Sequence, residues 1–491
     1  MSERKFNDQE LSKRNKLKSL QEQHKDPFLI TKFERNHNTQ SFKKEFNKFS
    51  KDELHTNTTR VILAGRIMAI RQTFGVIKDF YGKIQFYVNK KEDPQMFEDF
   101  RNVDVGDIIG VEGTPMKTNT DELTIRIKKI TLLSKSLKPL PEKFHGLQDE
   151  EARARHRYLD LIMNEESLQA FITRSTILRE LRNFMDSQGY IEVETPILHP
   201  ILGGANARPF ATHHNALDRD YYLRIATELP LKKLIVGGFE KVYEIGRIFR
   251  NEGMDATHNP EFTSMESYEA YISMYEVMTL AENIFKYIAT KLNKTQLTYK
   301  NTQIDFTKPF KKWNIIDAIN ETAKVNFNEI KTDQEAIQIA KKHKIEMKPH
   351  ENTRGHIINL FFEHFCEEKC QQPTFVYGHP IEISPLAKKN DKDPRMTERF
   401  ELFICGKEYA NAFSELNDPI DQYDRFNNQL KEKEKGNNEA NEMDMDFIES
   451  LEYGMPPTGG LGIGIDRMVM LFSNQETIRN VLLFPHMRDE K

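Results

Sequence analysis

The feature of this sequence that most constrains its fold is a pair of alternating stretches, one beginning after Lys241 and the other at Phe262. Side chains of a β-strand alternate between its two faces, so each stretch predicts a strand that gathers polar groups on one face. The residues predicted to share that face are Val242, Glu244, Ile248, Arg250 and Glu252 in the first strand, and Phe262, Glu266 and Tyr268 in the second. The segment between them contains Gly253, Asp255, His258 and Asn259, which are typical of a hairpin loop.

Such a hairpin would place an arginine, carboxylates, an aromatic ring and a phenol on one sheet surface. A single arginine on a strand is most often a surface charge. The alignment of several unlike polar groups on one side instead favours a site that holds a polyanion beside a cation.

A glycine-rich strand near the C-terminus adds a second constraint. Gly460, Gly462 and Gly464 alternate with apolar residues, so one strand face would be bare and a flat ring could lie against the backbone. A helix is predicted to follow, with Arg467 in its first turn. The glycine spacing and the absence of a preceding βαβ pattern argue against a dinucleotide-binding fold, and no GxxxxGK[ST] string occurs in the sequence.

Composition indicates a globular, multidomain protein of reducing compartments. The chain has 491 residues, of which 38% are hydrophobic and 30% charged. It contains neither the run of about 18 apolar residues that a membrane helix needs nor a signal-peptide pattern, so we expect a cytoplasmic protein with no membrane contact. Cys366, Cys370 and Cys405 are too few for a disulfide framework. Cys366 and Cys370, with His364 nearby, have helical spacing and fit either a metal site or, more commonly, buried thiols.

The N-terminal region differs in charge from the rest of the chain. Residues 1–60 carry 14 Lys and Arg against nine Asp and Glu, a net charge of +5, whereas the whole chain carries −4. Residues 1–58 therefore predict a basic helical arm that follows a phosphate backbone, or equally a solvated amphipathic helix. Short strands with glycine punctuation across 59–135 predict a small β-barrel of the OB type, which binds single-stranded nucleic acid.

A proline-bounded linker, 136–163, is predicted to separate the barrel from a larger domain, 164–491. That domain should begin with a helix near Ser167 that ends before Gly189, and a strand leads from there to Pro196. Residues 280–370 are predicted to be helical. In the strand predicted across 400–415, Asn411, Phe413 and Glu415 share a face, whereas Glu408 lies on the opposite face unless a bulge intervenes.

Several of these motifs resemble one enzyme family. The strings FRNEG at 249–253 and HNPEF at 258–262 resemble the second signature of class II aminoacyl-tRNA synthetases. The glycine-rich strand with Arg467 resembles the third signature, and the segment ending at Pro196 resembles the first, which lies at a dimer interface. SELNDP at 414–419 and GLGIGIDRMVMLF at 460–472 are most similar to the lysyl members of the aspartyl, asparaginyl and lysyl subgroup.

The resemblance implies an α+β fold: an N-terminal OB-type β-barrel that binds the anticodon, and a C-terminal class II synthetase domain built on a mostly antiparallel sheet flanked by helices. It also implies activation of L-lysine with ATP and Mg²⁺, transfer to the 3′ end of tRNA(Lys), and a homodimer. Arg250 and Arg467 would be catalytic, with Arg250 bridging the α-phosphate and the attacking carboxylate. Phe262 and Arg467 would enclose the adenine ring.

The remaining roles follow from the same resemblance. Glu401 and Glu408 would bind Mg²⁺, since hard cations prefer carboxylate oxygens. The residues implied for ATP are Arg250, Glu252, His258, Asn259, Phe262, Glu401, Gly464 and Arg467. The residues implied for lysine are Gly204, Glu228, Arg250, Glu266, Tyr268, Asn411, Phe413 and Glu415. The residues implied for the anticodon are Arg71, Phe74, Gln85 and Glu122.

Chemistry supports lysine within this set, because a buried ammonium group needs a compensating carboxylate. Glu266 and Glu415 would meet the ε-ammonium, Tyr268 would add a hydrogen bond, and Glu228 would meet the α-ammonium. An aspartate site would need cations at these places. The rival hypotheses are an aspartyl- or asparaginyl-tRNA ligase, an RNA-binding protein without catalysis, and a ligase that attaches lysine to a protein. For Phe74, packing in the barrel core is a further alternative to base stacking.

Overall fold

The structure is a computed structural model that describes residues 5–141, 147–434, 436–437 and 442–489. It divides into two compact units, residues 1–147 and residues 148–491, which are described separately below. Within the described ranges, no helix combines the length and the apolar character needed to cross a membrane.

The first unit begins with short polar helices. The helices of this unit are α1 (Asp8–Glu22), α2 (Thr39–Phe46), α3 (Lys51–His55), α4 (Pro94–Asn102) and a 3₁₀ turn (Pro27–Leu29). Capping boxes at Asn7, Asn38 and Ser50 start the first three, because each side chain accepts a hydrogen bond from the backbone of the first turn. Helix α1 contacts the rest of the unit through polar groups: the Lys13 Nζ donates to the Val105 carbonyl at 3.0 Å, and Lys16 pairs with Asp104 at 2.6 Å.

Five strands of the first unit close into a barrel in the order β1-β2-β3-β5-β4. They are β1 (Val61–Arg71), β2 (Phe74–Asp79), β3 (Gly82–Tyr87), β4 (Ile108–Lys117) and β5 (Leu123–Ser134). Alternate residues point inward, so Val61, Leu63 and Ile67 of β1 join Phe86 and Phe100 in a core that excludes water. Closure leaves the polar residues of the same strands on the outer surface.

The second unit contains the remaining elements. Its helices are α5 (Glu150–Arg155), α6 (Arg157–Met163), α7 (Glu165–Ser187), α8 (Glu228–Val236), α9 (Met274–Lys291), α10 (Ile315–Ala323), α11 (Asp333–Lys342), α12 (Arg354–Phe365), α13 (Pro419–Glu434), α14 (Met445–Glu452) and α15 (Ile465–Ser473), with 3₁₀ turns at Glu367–Lys369, Ile381–Ile383 and Ile478–Asn480. Its strands are β6 (Ile191–Glu192), β7 (Leu198–His199), β8 (Ala211–His214), β9 (Arg219–Leu223), β10 (Lys241–Phe249), β11 (Glu261–Ala270), β12 (Gln296–Tyr299), β13 (Thr302–Asp305), β14 (Lys311–Asn314), β15 (Thr374–Tyr377), β16 (Arg399–Ile404), β17 (Lys407–Ser414) and β18 (Thr458–Gly464).

An eight-stranded sheet in the order β14-β15-β16-β17-β18-β11-β10-β6 forms the centre of the second unit. Its inner pairs are antiparallel, and only the outermost pairs, β14 with β15 and β10 with β6, are parallel. Apolar residues of α7, α9 and α15 pack on one face of the sheet, and those of α8, α13 and α14 pack on the other. The predicted α+β class and the mostly antiparallel sheet are confirmed.

The segment 280–370 corrects a prediction, because it is helical only in part. Strands β12, β13 and β14 interrupt it, each only four residues long. Strands this short show too few alternations to be separated from a helix by periodicity. Cys366 and Cys370 belong to the core of this segment, where burial raises the pKa of the Cys370 thiol to about 12. No group of three or more His, Cys, Asp or Glu in the described parts of the chain could hold a metal ion.

Candidate active site

The β10–β11 hairpin forms the floor of the candidate site. The register pairs Glu244 with Glu266 and Ile248 with Phe262, so these residues share one face, as alternation predicted. The prediction that the first strand extends to Arg250 and Glu252 is wrong, since β10 ends at Phe249. The Arg250 amide donates to the Pro260 carbonyl at 2.8 Å, but Pro260 has no N–H to return the bond, and the ladder ends there.

A β-bulge in β17 decides the position of Glu408. Leu402 pairs with Ala410, whereas the next residue, Phe403, pairs with Glu408, so Tyr409 is the extra residue of the bulge. The shift turns Glu408 to the same face as Asn411. Both residues therefore line one cavity.

That cavity, of about 460 Å³, lies over the centre of the sheet and gathers most of the predicted residues. The predicted residues that line it are Gly204, Glu228, Arg250, Glu252, His258, Asn259, Phe262, Glu266, Tyr268, Glu408, Asn411, Phe413, Glu415, Gly464 and Arg467. Glu401 lies outside this lining, one strand away from Asn411 in the register. The cavity thus combines the carboxylates of Glu228, Glu266 and Glu415 with several cationic side chains in one cleft.

One end of the cavity, which we call the acid end, consists of Glu228, Glu266, Glu415, Tyr268 and Lys232. The Glu266 carboxylate accepts hydrogen bonds from the Thr227 amide at 3.1 Å and from the Tyr268 hydroxyl at 3.2 Å. Burial, and then the nearby Glu228 carboxylate, raise the pKa of Glu266 to about 7. Burial also raises the pKa of Tyr268 well above its usual value, so this phenol remains a hydrogen-bond donor.

The acid end also contains a cation that sequence reasoning missed. Lys232 follows Glu228 by one helical turn in α8, and its Nζ donates to Glu228 at 2.6 Å and forms an ion pair with Glu415. Burial alone would lower the pKa of Lys232, but the carboxylates of Glu228 and Glu415 raise it above its usual value. The i, i+4 spacing of Glu228 and Lys232 was the available signal.

The absence of a side chain at Gly460 lets Glu415 and Tyr268 pack against the backbone there. A Cβ at this position would lie 1.9 Å from Oε1 of Glu415 and 2.7 Å from the Tyr268 ring. Sequence reasoning predicted that the bare glycine face would receive a flat ring. At Gly460 the face instead receives the Glu415 carboxylate, whereas a Cβ at Gly462 or Gly464 would meet no atom closer than 3.6 Å.

The opposite end of the cavity, which we call the cationic end, consists of Arg250, Arg467, His258 and Phe262. The Arg250 guanidinium lies 5.2 Å from the centre of the Phe262 ring, and its hydrogen bonds to described residues are two long ones, 3.4 Å each, to the Ile225 carbonyl. Arg467 donates to the Glu408 carbonyl at 2.7 Å and lies 3.3 Å from Nε2 of His258. The Arg250 donors are therefore weakly engaged, which suits a group that binds an anion.

Thr227 directly precedes Glu228 in the chain, and Asn259 directly follows His258. Thr227 occupies the N-cap position of α8, but its buried hydroxyl makes no capping bond and, among the described residues, has no hydrogen bond of good geometry. The Asn259 side chain donates to the Glu261 carbonyl at 2.7 Å. It thereby fixes the loop that carries His258 while remaining on the cavity wall.

Two carboxylates near the cationic end fit a divalent cation. Burial in the cleft, and then the neighbouring Glu401 carboxylate, raise the pKa of Glu408. Arg399, a second residue that sequence reasoning missed, pairs with Glu401 at 2.5 Å and donates to Oδ1 of Asn411 at 2.9 Å. Glu408 lines the cavity and Glu401 is its neighbour, and carboxylate oxygens are ligands that Mg²⁺ prefers.

The predicted anticodon residues belong to the barrel of the first unit, and none of them is part of the cavity lining. Phe74 faces outward from β2 with its ring 4.9 Å from that of Tyr87, its partner in β3. Gln85 shares that outer face and accepts a hydrogen bond from Thr124 at 2.8 Å. Arg71 ends β1 opposite Phe74, and Glu122 is exposed just before β5.

Comparison with known proteins is consistent with this geometry. A family model described as class II tRNA synthetases (D, K and N) matches residues 149–488, more than half of the chain. The chain belongs to this family. A second model, described as an OB-fold nucleic acid binding domain, matches residues 61–133, which confirms the predicted type of barrel.

Curated relatives extend the similarity over the full length. The chain is 61% identical over 491 residues to the lysine–tRNA ligase of Malacoplasma penetrans, covering 100% of both chains. It is 60% identical over 490 residues to that of Ureaplasma urealyticum and 55% identical over 494 residues to that of Staphylococcus epidermidis, covering 99% of each chain in both cases.

Proposed function

We propose that this class II synthetase joins L-lysine to tRNA(Lys) in two steps that use ATP. The observation that carries the proposal is the three carboxylates of Glu228, Glu266 and Glu415 at one end of a cavity whose other end holds Arg250 and Arg467. The full-length similarity to lysine–tRNA ligases supports the same function. An aspartate or asparagine substrate would bring no ε-ammonium to these acids.

In the first step the lysine carboxylate attacks the α-phosphorus of ATP, a phosphorus–oxygen bond forms, and pyrophosphate leaves with its bonding electrons. Arg250 has a planar guanidinium that can contact the carboxylate and the α-phosphate at once. Catalysis by positioning and charge stabilisation then needs no protein nucleophile. In the second step the terminal ribose hydroxyl of the tRNA attacks the acyl carbon and AMP leaves.

The nucleotide would occupy the cationic end. Phe262 and Arg467 enclose the adenine between a ring and a cation, Gly464 leaves space beside them, and His258 meets the terminal phosphate. Glu252 and Asn259 complete this part of the wall. Glu401 and Glu408 would hold Mg²⁺, which neutralises phosphate charge when bound.

The amino acid would occupy the acid end. Glu228 meets its α-ammonium beside Gly204, and Glu266, Glu415 and the Tyr268 hydroxyl meet its ε-ammonium. Asn411 and Phe413 line the space between them.

The tRNA would contact the first unit. Within the segment we assign as the anticodon domain, 59–135, the paired rings of Phe74 and Tyr87 provide a surface for base stacking, with Arg71, Gln85 and Glu122 around it. The basic arm, 1–58, adds sequence-independent phosphate contacts, and 136–163 connects the barrel to the catalytic domain, 164–491. Residues 142–146 of this linker lie outside the described residues.

A homodimer and a cytoplasmic location complete the proposal. Strand β6 is the edge strand of the large sheet, and Ile191 within it is 52% exposed. Ile197 and Leu198, which follow, are also exposed. A short edge strand with exposed apolar side chains in and after it is suited to a partner subunit, and sedimentation of the purified protein would show a dimer.

The decisive experiment is amino-acid-dependent exchange of pyrophosphate into ATP, run with lysine, ornithine, arginine, aspartate and asparagine. Lysine should support exchange, and aspartate and asparagine should not. Exchange with aspartate or asparagine but not lysine would overturn the proposal. Tight binding of tRNA without any exchange would point to an RNA-binding protein without catalysis.

A further inference from the structure

Lys232 is the only cation in the described part of the acid end, and it cannot reach solvent. Its side chain is completely buried, and so is that of Glu415, while the Glu228 side chain is 10% exposed. The rings of Phe413 and Phe447 lie 5.5 Å and 5.9 Å from Nζ. A lysine in such surroundings needs both carboxylates to remain charged.

The three acids of this end are not partnered alike. Glu266 accepts hydrogen bonds from neutral groups, the Thr227 amide and the Tyr268 hydroxyl. Glu415 forms the ion pair with Lys232, but neither of its buried oxygens receives a hydrogen bond of good geometry within the described residues. Glu415 therefore retains acceptor capacity for a further donor.

Two arginines that line the cavity have acidic partners of their own, whereas the Arg250 guanidinium is hydrogen-bonded among the described residues only to the Ile225 carbonyl, at 3.4 Å. Arg399 pairs with Glu401, and Arg467 lies 3.7 Å from the Glu408 carboxylate. With all of its groups ionised, the acid end holds three carboxylates and one internal ammonium, a net charge of −2. A lysine molecule brings two ammonium groups.

We propose that Lys232 is a positioning residue for amino-acid selection, which bridges Glu228 and Glu415 and sets the charge of the acid end to match the two ammonium groups of one lysine. This inference rests on the proposed function. It predicts that removing Lys232 or one acid makes the net charge of the acid end unequal to that of the two ammonium groups. Removing both together should restore the match.

A second buried lysine in the chain separates this role from simple fold stabilisation. In the first unit, Lys135 has a fully buried side chain and pairs with Asp104 at 2.6 Å and with Asp107 at 2.7 Å. None of these three residues lines the cavity. Lys135→Met therefore removes an equally buried cation from two carboxylates without altering the acid end.

The test is tRNA-free pyrophosphate exchange with the full chain, measuring KM for lysine and for ATP separately. We expect Lys232→Met and Glu415→Gln each to raise the KM for lysine about 100-fold and to leave the KM for ATP within threefold. The double variant should return to within about tenfold of the unmodified protein, since both changes act on one coupled pair. Lys135→Met should lower the melting temperature and change neither KM.

Three results would overturn the inference: a KM for lysine within threefold of normal in folded Lys232→Met, a double variant that binds lysine worse than Glu415→Gln, or an equal effect of Lys135→Met. If Lys232→Met does not fold, the comparison of Glu415→Gln with the double variant decides alone. Absence of lysine-dependent exchange in the unmodified protein would instead refute the proposed function.

Discussion

The charged side chains at the two ends of the cavity are paired to different extents. At the acid end, Lys232 and Glu415 are fully buried and already paired, so the charges are in place before any ligand arrives. At the cationic end, the hydrogen bonds from the Arg250 guanidinium to described residues are 3.4 Å long, and the His258 side chain is 51% exposed. The difference indicates that selection of the amino acid depends on a preformed buried pocket, whereas phosphate chemistry depends on cations held open for the substrate.

The largest effect should come from the cationic end. Arg250→Ala should lower kcat/KM for pyrophosphate exchange by about 1,000-fold, because the guanidinium is proposed to contact both reacting groups. Arg250→Lys should recover only part of this loss, since an ammonium cannot make two parallel hydrogen bonds. A loss below tenfold in Arg250→Ala would show that the reaction centre lies elsewhere.

A smaller effect, confined to the amino acid, should come from the acid end. Glu266→Gln should raise the KM for lysine about 100-fold and leave the KM for ATP nearly unchanged, because it removes the carboxylate charge proposed to pair with the ε-ammonium while keeping the shape of the side chain. Steady-state exchange kinetics with each substrate varied in turn provide the measurement. An equal change in both KM values would contradict the proposal that the acid end binds lysine and the cationic end binds ATP.

The pH dependence of lysine binding tests the role of Glu266 at the acid end in a second way. Since the folded protein raises the pKa of Glu266 to about 7, its carboxyl is mostly neutral below that pH and charged above it. The ε-ammonium of lysine, with a pKa of about 10.4, stays charged throughout. Lysine affinity should therefore rise by up to about tenfold per pH unit between pH 6 and 7 and then level off.

Glu266→Gln provides the control for this profile, because the variant cannot titrate at that position. Calorimetric titration of lysine at several pH values should show a sloping profile for the unmodified protein and a flatter one for the variant. Affinity that falls as the pH rises from 6 to 7 would contradict the assignment of Glu266.

The smallest effect should come from a substitution in the barrel, which should weaken tRNA binding without changing the binding of lysine or ATP. Phe74→Ala should raise the KM for tRNA about tenfold, through loss of base stacking, while tRNA-free exchange is unchanged. Phe80→Ala is the matched control, since Phe80 is an exposed ring, 60% accessible, in the turn that follows β2. If the two variants behave alike, Phe74 has no special part in tRNA binding.

Much of this arrangement could be predicted because alternation is a strong constraint. The shared face of Ile248, Phe262, Glu266 and Tyr268 follows from parity, and the register of the hairpin agrees with it. The glycine-rich strand was recognisable because few strands tolerate repeated loss of side chains.

What could not be predicted depends on local departures from regularity. Parity placed Glu408 on the wrong face, because nothing in the sequence around Tyr409 marks the bulge that turns it. Arg250 was placed within a strand that Pro260 ends early. Lys232 was overlooked because a buried lysine is rare, and its burial depends on Glu415, which lies far away in the chain.

The central claim is that one cavity receives the amino acid's ammonium groups at its acid end and the nucleotide at its cationic end. A crystal structure of the protein with lysine and a non-hydrolysable ATP analogue tests it most directly. We predict the ε-ammonium within hydrogen-bonding distance of Glu266 or Glu415 and the adenine ring between Phe262 and Arg467. An amino acid bound with its side chain toward Arg250, or a nucleotide outside the cavity, would contradict the account.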